Sequence, residues 1–158
     1  QGWDGIFLVS PDGTPYVFNS KDIDLWRTNF DLTIKKDRKK FIELAQAKNW
    51  SMIQSHLLIS DGVLDLYEVE NARRFVRRMF FTNQSGWGIY QTKTSLTLFE
   101  AANEIKSSIN PDMVINLDMG TYNYCQRSTN LGPKACGELL TNSENLTNLI
   151  TIKLTEKN

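Results

Sequence analysis

The sequence predicts an α+β domain: a mixed, mostly antiparallel sheet with two main helices packed on it. Three observations carry that expectation. Short β-prone runs recur along the chain and are joined by tight-turn signatures, so neighbouring strands return antiparallel. Two segments place apolar residues at helical spacing. The order strands, helix, strands, helix, strands uses hairpins where a parallel sheet would need regular strand–helix–strand crossovers. At 158 residues the chain is one domain's worth. A chain of that size buries roughly 68–70% of its unfolded surface and builds a core without disulfides or metal.

Each element has a local reason. Phe7-Leu8-Val9 and Tyr16-Val17-Phe18 flank Pro11-Asp12-Gly13; proline presets φ, glycine accepts a positive φ, and a hairpin follows. Between residues 21 and 36 the pattern is mixed, with a turn at Thr28-Asn29 and a short strand near 32–34. Asp37 is expected to cap a helix reaching about residue 48, with Phe41, Ile42, Leu44 and Ala45 on its buried face. The basic run from Lys35 to Lys40 solvates the opposite face. Residues 50–60 read as a strand ending in Asp61-Gly62, a tight-turn dipeptide, after which residues 63–66 continue the pairing. Residues 77–82 and 86–92 form a second hairpin. Thr97 and Glu100 make a capping box, and Leu98, Phe99, Ala102 and Ile105 give the stripe of a helix that stops before Pro111. An apolar strand over 113–118 and a last strand over 148–154 complete the chain.

Charge and scarce residues exclude several function classes. Eighteen Lys and Arg balance eighteen Asp and Glu. That balance lacks the basic footprint of a nucleic-acid binder and any pull toward an anionic membrane. Apolar runs extend only a few residues, short of the roughly 20 that span a bilayer. One histidine, His56, and two cysteines, Cys125 and Cys136, cannot assemble a three-histidine catalytic or four-cysteine structural zinc site. No metal and no cofactor is expected. Catalysis would lean on carboxylates, arginines, amides and hydroxyls. The cysteines flank Gly132-Pro133, where either a disulfide or two separate thiols is consistent with the spacing.

Three segments carry candidate chemistry. In Ile115-Asn116-Leu117-Asp118-Met119-Gly120 a carboxylate ends a buried strand at a glycine turn, whose amides suit an oxyanion; the plainer reading is an Asx turn made by Asp118. In Arg73-Arg74-Phe75-Val76-Arg77-Arg78 a strand would put Arg74 and Arg78 on one face and Arg73 and Arg77 on the other. The guanidinium fork suits phosphate, whereas the plainer role is a solvated, aggregation-resistant edge. In Gln54-Ser55-His56, adjacent strand residues point apart, so Ser55 and His56 are not nucleophile and base to each other. A hydrogen-bonded core histidine is the better reading of His56.

Taken together, Gln54-Ser55 followed by Asp61-Gly62, an Arg78-led strand, Thr97-Leu98-x-Glu100-Ala101-Ala102, and Ile115-Asn116-Leu117-Asp118-x-Gly120 resemble the phosphodiester glycosidase domain family. The likeness runs from about residue 5 to about 154 and corresponds to the C-terminal two-thirds of a typical family domain, without its N-terminal part. It implies one domain of this kind over residues 1–158, a carbohydrate or sugar-phosphate ligand, and hydrolysis of a sugar phosphodiester or related glycosidic bond. It implies Asp118 as the catalytic or orienting carboxylate and Arg78 as the phosphate clamp. Gln54, Asn116, Gly120 and Asp61 follow as substrate-binding residues, and an extracytoplasmic setting as the location. Met119 stands in place of the first glycine of the family's Asn-Leu-Asp-Gly-Gly-x-Ser motif, and His56 in place of its Gly-Pro. The alternative is therefore a catalytically degenerate member that binds carbohydrate or protein.

Overall fold

The computed structural model describes residues 2–117, 124–137, 144 and 150–152. Packing divides the chain into two compact units, Gln1–Asp118 and Met119–Asn158, each described by itself. In the first, β1 (Gly5–Val9), β2 (Pro15–Asn19), β3 (Ile23–Leu25) and β4 (Thr28–Phe30) precede α1 (Lys35–Ala47). Next come β5 (Ser51–Ser55), β6 (Leu57–Ser60), β7 (Val63–Leu64), β8 (Arg78–Asn83), β9 (Gly86–Gln91), α2 (Leu98–Ile109) and β10 (Met113–Asn116). The second unit contains the hairpin of β11 (Gln126–Thr129) and β12 (Gly132–Ala135).

The fold is α+β, and its strand pairings among the described residues are antiparallel. The strands of the first unit form two main sheets. One has the order β2-β1-β5 and the other β7-β6-β10-β8-β9, with β3-β4 a separate pair. The run expected as one strand over 50–60 serves both sheets: β5 pairs with β1, and after His56 the chain continues as β6 beside β10.

Strand alternation then assigns three apolar layers. Ile6 and Leu8 face outward from the three-stranded sheet and join Ile23, Phe30, Leu32 and Phe41 of α1. Met79 and Val114 face outward from the five-stranded sheet and join Ala101, Ala102 and Ile105 of α2. The opposite parity fills the space between the sheets, where Phe7 meets Phe80 with ring centroids 4.7 Å apart. Gly5 faces the same layer. A Cβ there would lie 2.8 Å from Ile115 Cδ1 and 3.0 Å from the Ser55 carbonyl oxygen, so the sheets approach too closely for a side chain.

Local signals hold where short-range hydrogen bonds decide. Thr97 accepts from the Glu100 amide, Glu100 reaches back to the Thr97 amide, and Asn110 ends α2 in the left-handed conformation just before Pro111. Asp61 and Gly62 both have positive φ, at 51° and 73°, as the two-residue turn between β6 and β7 requires.

Other expectations are corrected. The turn near residue 28 lies instead at Trp26-Arg27, both at positive φ, with strands β3 and β4 on either side and none over 32–34. Neither residue type favours that conformation. It is held by the Trp26 indole, which packs on Phe30, Phe41 and Trp50. Helix α1 begins at Lys35 with Ile34 as its N-cap and no side-chain cap. Asp37 lies in the first turn, where the helix dipole favours a carboxylate, and accepts from the Asp31 amide at 3.4 Å. Residues 73–77 are not a strand; Phe75 makes only an isolated bridge to Leu96, and β8 opens at Arg78.

In the second unit Cys125 and Cys136 form a disulfide with Cα atoms 4.9 Å apart, and the Cys136 amide donates to the Cys125 carbonyl. Of the strand expected over 148–154, residues 150–152 are described and carry no strand; the remainder lies outside the described residues. Among the described residues no helix is long and apolar enough to cross a membrane.

Two substitutions test this account. Gly5→Ala should lower the unfolding free energy in urea by about 1–3 kcal/mol, the usual scale of overpacking. Thr97→Ala should cost about 1 kcal/mol through the lost cap, with an unchanged dependence on denaturant in both cases.

Candidate functional site at the open end of the five-stranded sheet

The two hairpin turns, β6–β7 and β8–β9, close one end of the five-stranded sheet. At the other end the chain enters and leaves, and polar residues gather. Reading across the strand order, Asp65 follows β7, His56 precedes β6, Asn116 ends β10, Arg78 opens β8 and Gln91 ends β9.

Arg78 is 7% exposed. Its Nε and Nη2 donate to Gln91 Oε1 at 3.1 and 2.7 Å, and its carbonyl accepts from the Leu117 amide at 2.9 Å. Burial lowers the guanidinium pKa, yet an arginine keeps its charge in such surroundings. Asn116 is 1% exposed, and its backbone amide donates to the His56 carbonyl at 3.0 Å. Neither its side-chain oxygen nor its nitrogen has a partner among the described residues. Leaving a buried donor or acceptor unmet costs about 1–3 kcal/mol. The register pairs Asn116 with Met79 on the α2 face, whereas Arg78 shares its parity with Phe80 on the face toward the other sheet.

A pair of acids adjoins this end. Asp4 precedes β1, and its Oδ1 accepts from the Leu57 amide at 3.2 Å. Asp65, which follows β7, lies near enough to feel the Asp4 charge. Burial, then the Asp4 charge, raises the Asp65 pKa, while Lys21 pulls it part of the way back. A like charge nearby favours the protonated form of Asp65. No sequence motif announces the pair, because its members meet only through the passage from β5 to β6.

The remaining candidates lie elsewhere. Asp61 occupies the turn at the closed end of the sheet, its amide donating to Met113 Sδ at 3.4 Å. Gln54 is the register partner of Ile6 and therefore opens on the α1 side of the three-stranded sheet, its Nε2 donating to the Trp3 carbonyl. Gln54, Arg78 and Asn116 thus look into three different layers rather than one shared hollow. Alternation across two stacked sheets separates side chains that a single-sheet reading brings together. Asp118 and Gly120 lie outside the described residues.

The other arginines of the cluster do structural work. Arg77 donates to the Leu96 and Arg73 carbonyls and lies 5.0 Å from the Phe75 ring centroid. Arg74 pairs with Glu100 at 2.8 Å. His56 Nδ1 is 3.1 Å from the Gly2 carbonyl, and its ring meets Trp3 edge-on. Among the described residues no three His, Cys, Asp or Glu side chains gather as a metal site.

The Asp65 carboxyl holds its proton more tightly folded than unfolded, so it opposes folding once pH exceeds its raised folded-state pKa. That opposition fades as pH falls toward the ordinary aspartate value near 3.9. Asp65→Asn, which cannot ionise, should be more stable than wild type at pH 7. The gap should close as urea titrations are taken down toward pH 4.

Comparison with protein-family models, with curated proteins and with solved structures finds no match to this chain.

Proposed function

We propose that the protein is a hydrolase of a sugar phosphodiester or a related glycosidic bond, of the phosphodiester glycosidase kind that its motifs resemble, working through Arg78 and Asp118. The observation that carries this reading is the register at the open end of the five-stranded sheet. Arg78 opens β8 beside the end of β10, and Asp118 is two positions beyond Asn116 in the sequence. A largely desolvated guanidinium interacts far more strongly with a phosphate than one in water.

Glycoside hydrolysis uses two carboxyl groups, one of them protonated at working pH. In this reading Asp118 is the ionised member, and Asp65, biased toward its protonated form at the same end of the sheet, is the candidate acid. The ligand is a carbohydrate or sugar phosphate. The disulfide in the second unit supports an extracytoplasmic setting, since such bonds persist in oxidising compartments.

A second reading, a non-catalytic module that binds carbohydrate or protein, is favoured by the separation of Gln54 from Arg78 and by Met119 in a glycine's place. A panel of sugar phosphodiesters and aryl glycosides distinguishes the two. Asp118→Asn should lower turnover by about 10²–10⁴-fold, the usual worth of a positioned acid or base. Arg78→Lys, which keeps the charge and loses the fork, should retain part of the rate. Equal rates for wild type and Asp118→Asn would remove Asp118 from catalysis, and glycan binding without turnover would establish the second reading.

A further inference from the structure

We propose that the hollow between α1 and the three-stranded sheet binds a small organic anion, with one carboxylate or phosphate head on an apolar body. The cavity measures about 370 Å³, within the range of small-molecule sites, roughly 300–1,000 Å³. It exists because α1 buries Phe41 and Ala45 and leaves Met52 and Gln54, at one end of the sheet's outer face, exposed. Ile6 and Met52 form an apolar floor, and Ile42 of α1 continues it up one wall.

Two cations border that floor. Arg38 belongs to the first turns of α1, and Lys21 follows β2. Neither makes a salt bridge among the described residues. Arg38 Nη1 donates a long bond, 3.4 Å, to the Leu32 carbonyl, and Lys21 is attracted more diffusely by Asp31 and Asp65. The carboxylate of the lining, Asp4, accepts from the Leu57 amide at 3.2 Å. The Trp3 indole, 59% exposed, stands at the mouth.

This composition selects its ligand. A bare inorganic anion would satisfy the cations but leave the apolar floor wet, and a neutral apolar molecule would do the reverse. A molecule carrying both parts meets both demands. Gln54 Nε2 is committed to the Trp3 carbonyl, which leaves its Oε1 as an acceptor beside the floor. The inference does not rest on the hydrolase reading, since Arg78, Asn116 and Asp118 take no part in it.

Titration calorimetry at low salt tests it with phenyl phosphate, phenylacetate, benzyl alcohol and inorganic phosphate. One of the two aromatic anions should bind at least about tenfold more tightly than either benzyl alcohol or inorganic phosphate, and the tighter of the two identifies the head group. Arg38→Met and Lys21→Met should each weaken that binding about tenfold, while Arg38→Lys should restore most of it. Both residues are exposed, and unchanged circular dichroism would show that the variants fold. The proposal is overturned if neither aromatic anion binds, if both Met variants bind as wild type does, or if inorganic phosphate binds as tightly as phenyl phosphate. Hydrolytic activity is read separately, so its presence or absence leaves this outcome distinct.

Discussion

At His56 the polypeptide leaves one sheet and enters another. Ser55 still pairs with Gly5, whereas Leu57 already pairs with Ile115. Because the crossing takes a single residue, β5 and β6 tie the two sheets together covalently. The Leu57 amide is met at the crossing by the Asp4 carboxylate. A bend of this kind between two strand pairings otherwise leaves backbone groups unmet, and buried backbone groups are almost always paired. Asp4 is thus a structural necessity before it is anything else.

The layers follow from that crossing. With the sheets stacked, one parity of each strand faces the neighbouring sheet and the other faces a helix. Phe7 and Phe80 meet in the middle, Ile6 and Leu8 meet α1, and Met79 and Val114 meet α2. Gly5 marks the closest approach, where backbone and the Ile115 side chain occupy the room a Cβ would need. The hairpin turns take one end of the five-stranded sheet, which leaves the other for chain entry and exit. That end collects costly groups: a buried guanidinium at Arg78, an Asn116 amide unmet among the described residues, and a carboxyl at Asp65 pushed toward its protonated form. Desolvated polar groups of this kind cost stability.

The parts legible in the sequence are those in which a few neighbouring residues decide. The Thr97–Glu100 box, the Asp61-Gly62 turn and the hairpin around Pro11-Asp12-Gly13 each depend on contacts within about five positions. The same holds for the class of fold, since hairpin spacing dictates antiparallel return. The turn at Trp26-Arg27 is different. It runs against the preferences of its own residues and exists because an indole is gripped by Phe41 and Trp50 from other elements. The arginine run at 73–78 carries strand-like spacing, yet backbone carbonyls and Glu100 bind most of it into the approach to α2.

The candidate site divides along the same line. The family resemblance groups Arg78, Gln54 and Asp118, with Asn116 beside them; the β8–β10 register brings the Arg78 and Asn116 backbones to neighbouring strand ends but turns their side chains to opposite faces, and Asp118 lies outside the described residues. Gln54 lies in another layer, on the α1 side of the three-stranded sheet, because it is the register partner of Ile6. Side-chain parity is local information, but the meaning of a face depends on what is stacked against it. That is decided only when distant strands pack, by the burial of Phe7, Phe80 and Ile115 between two sheets rather than one.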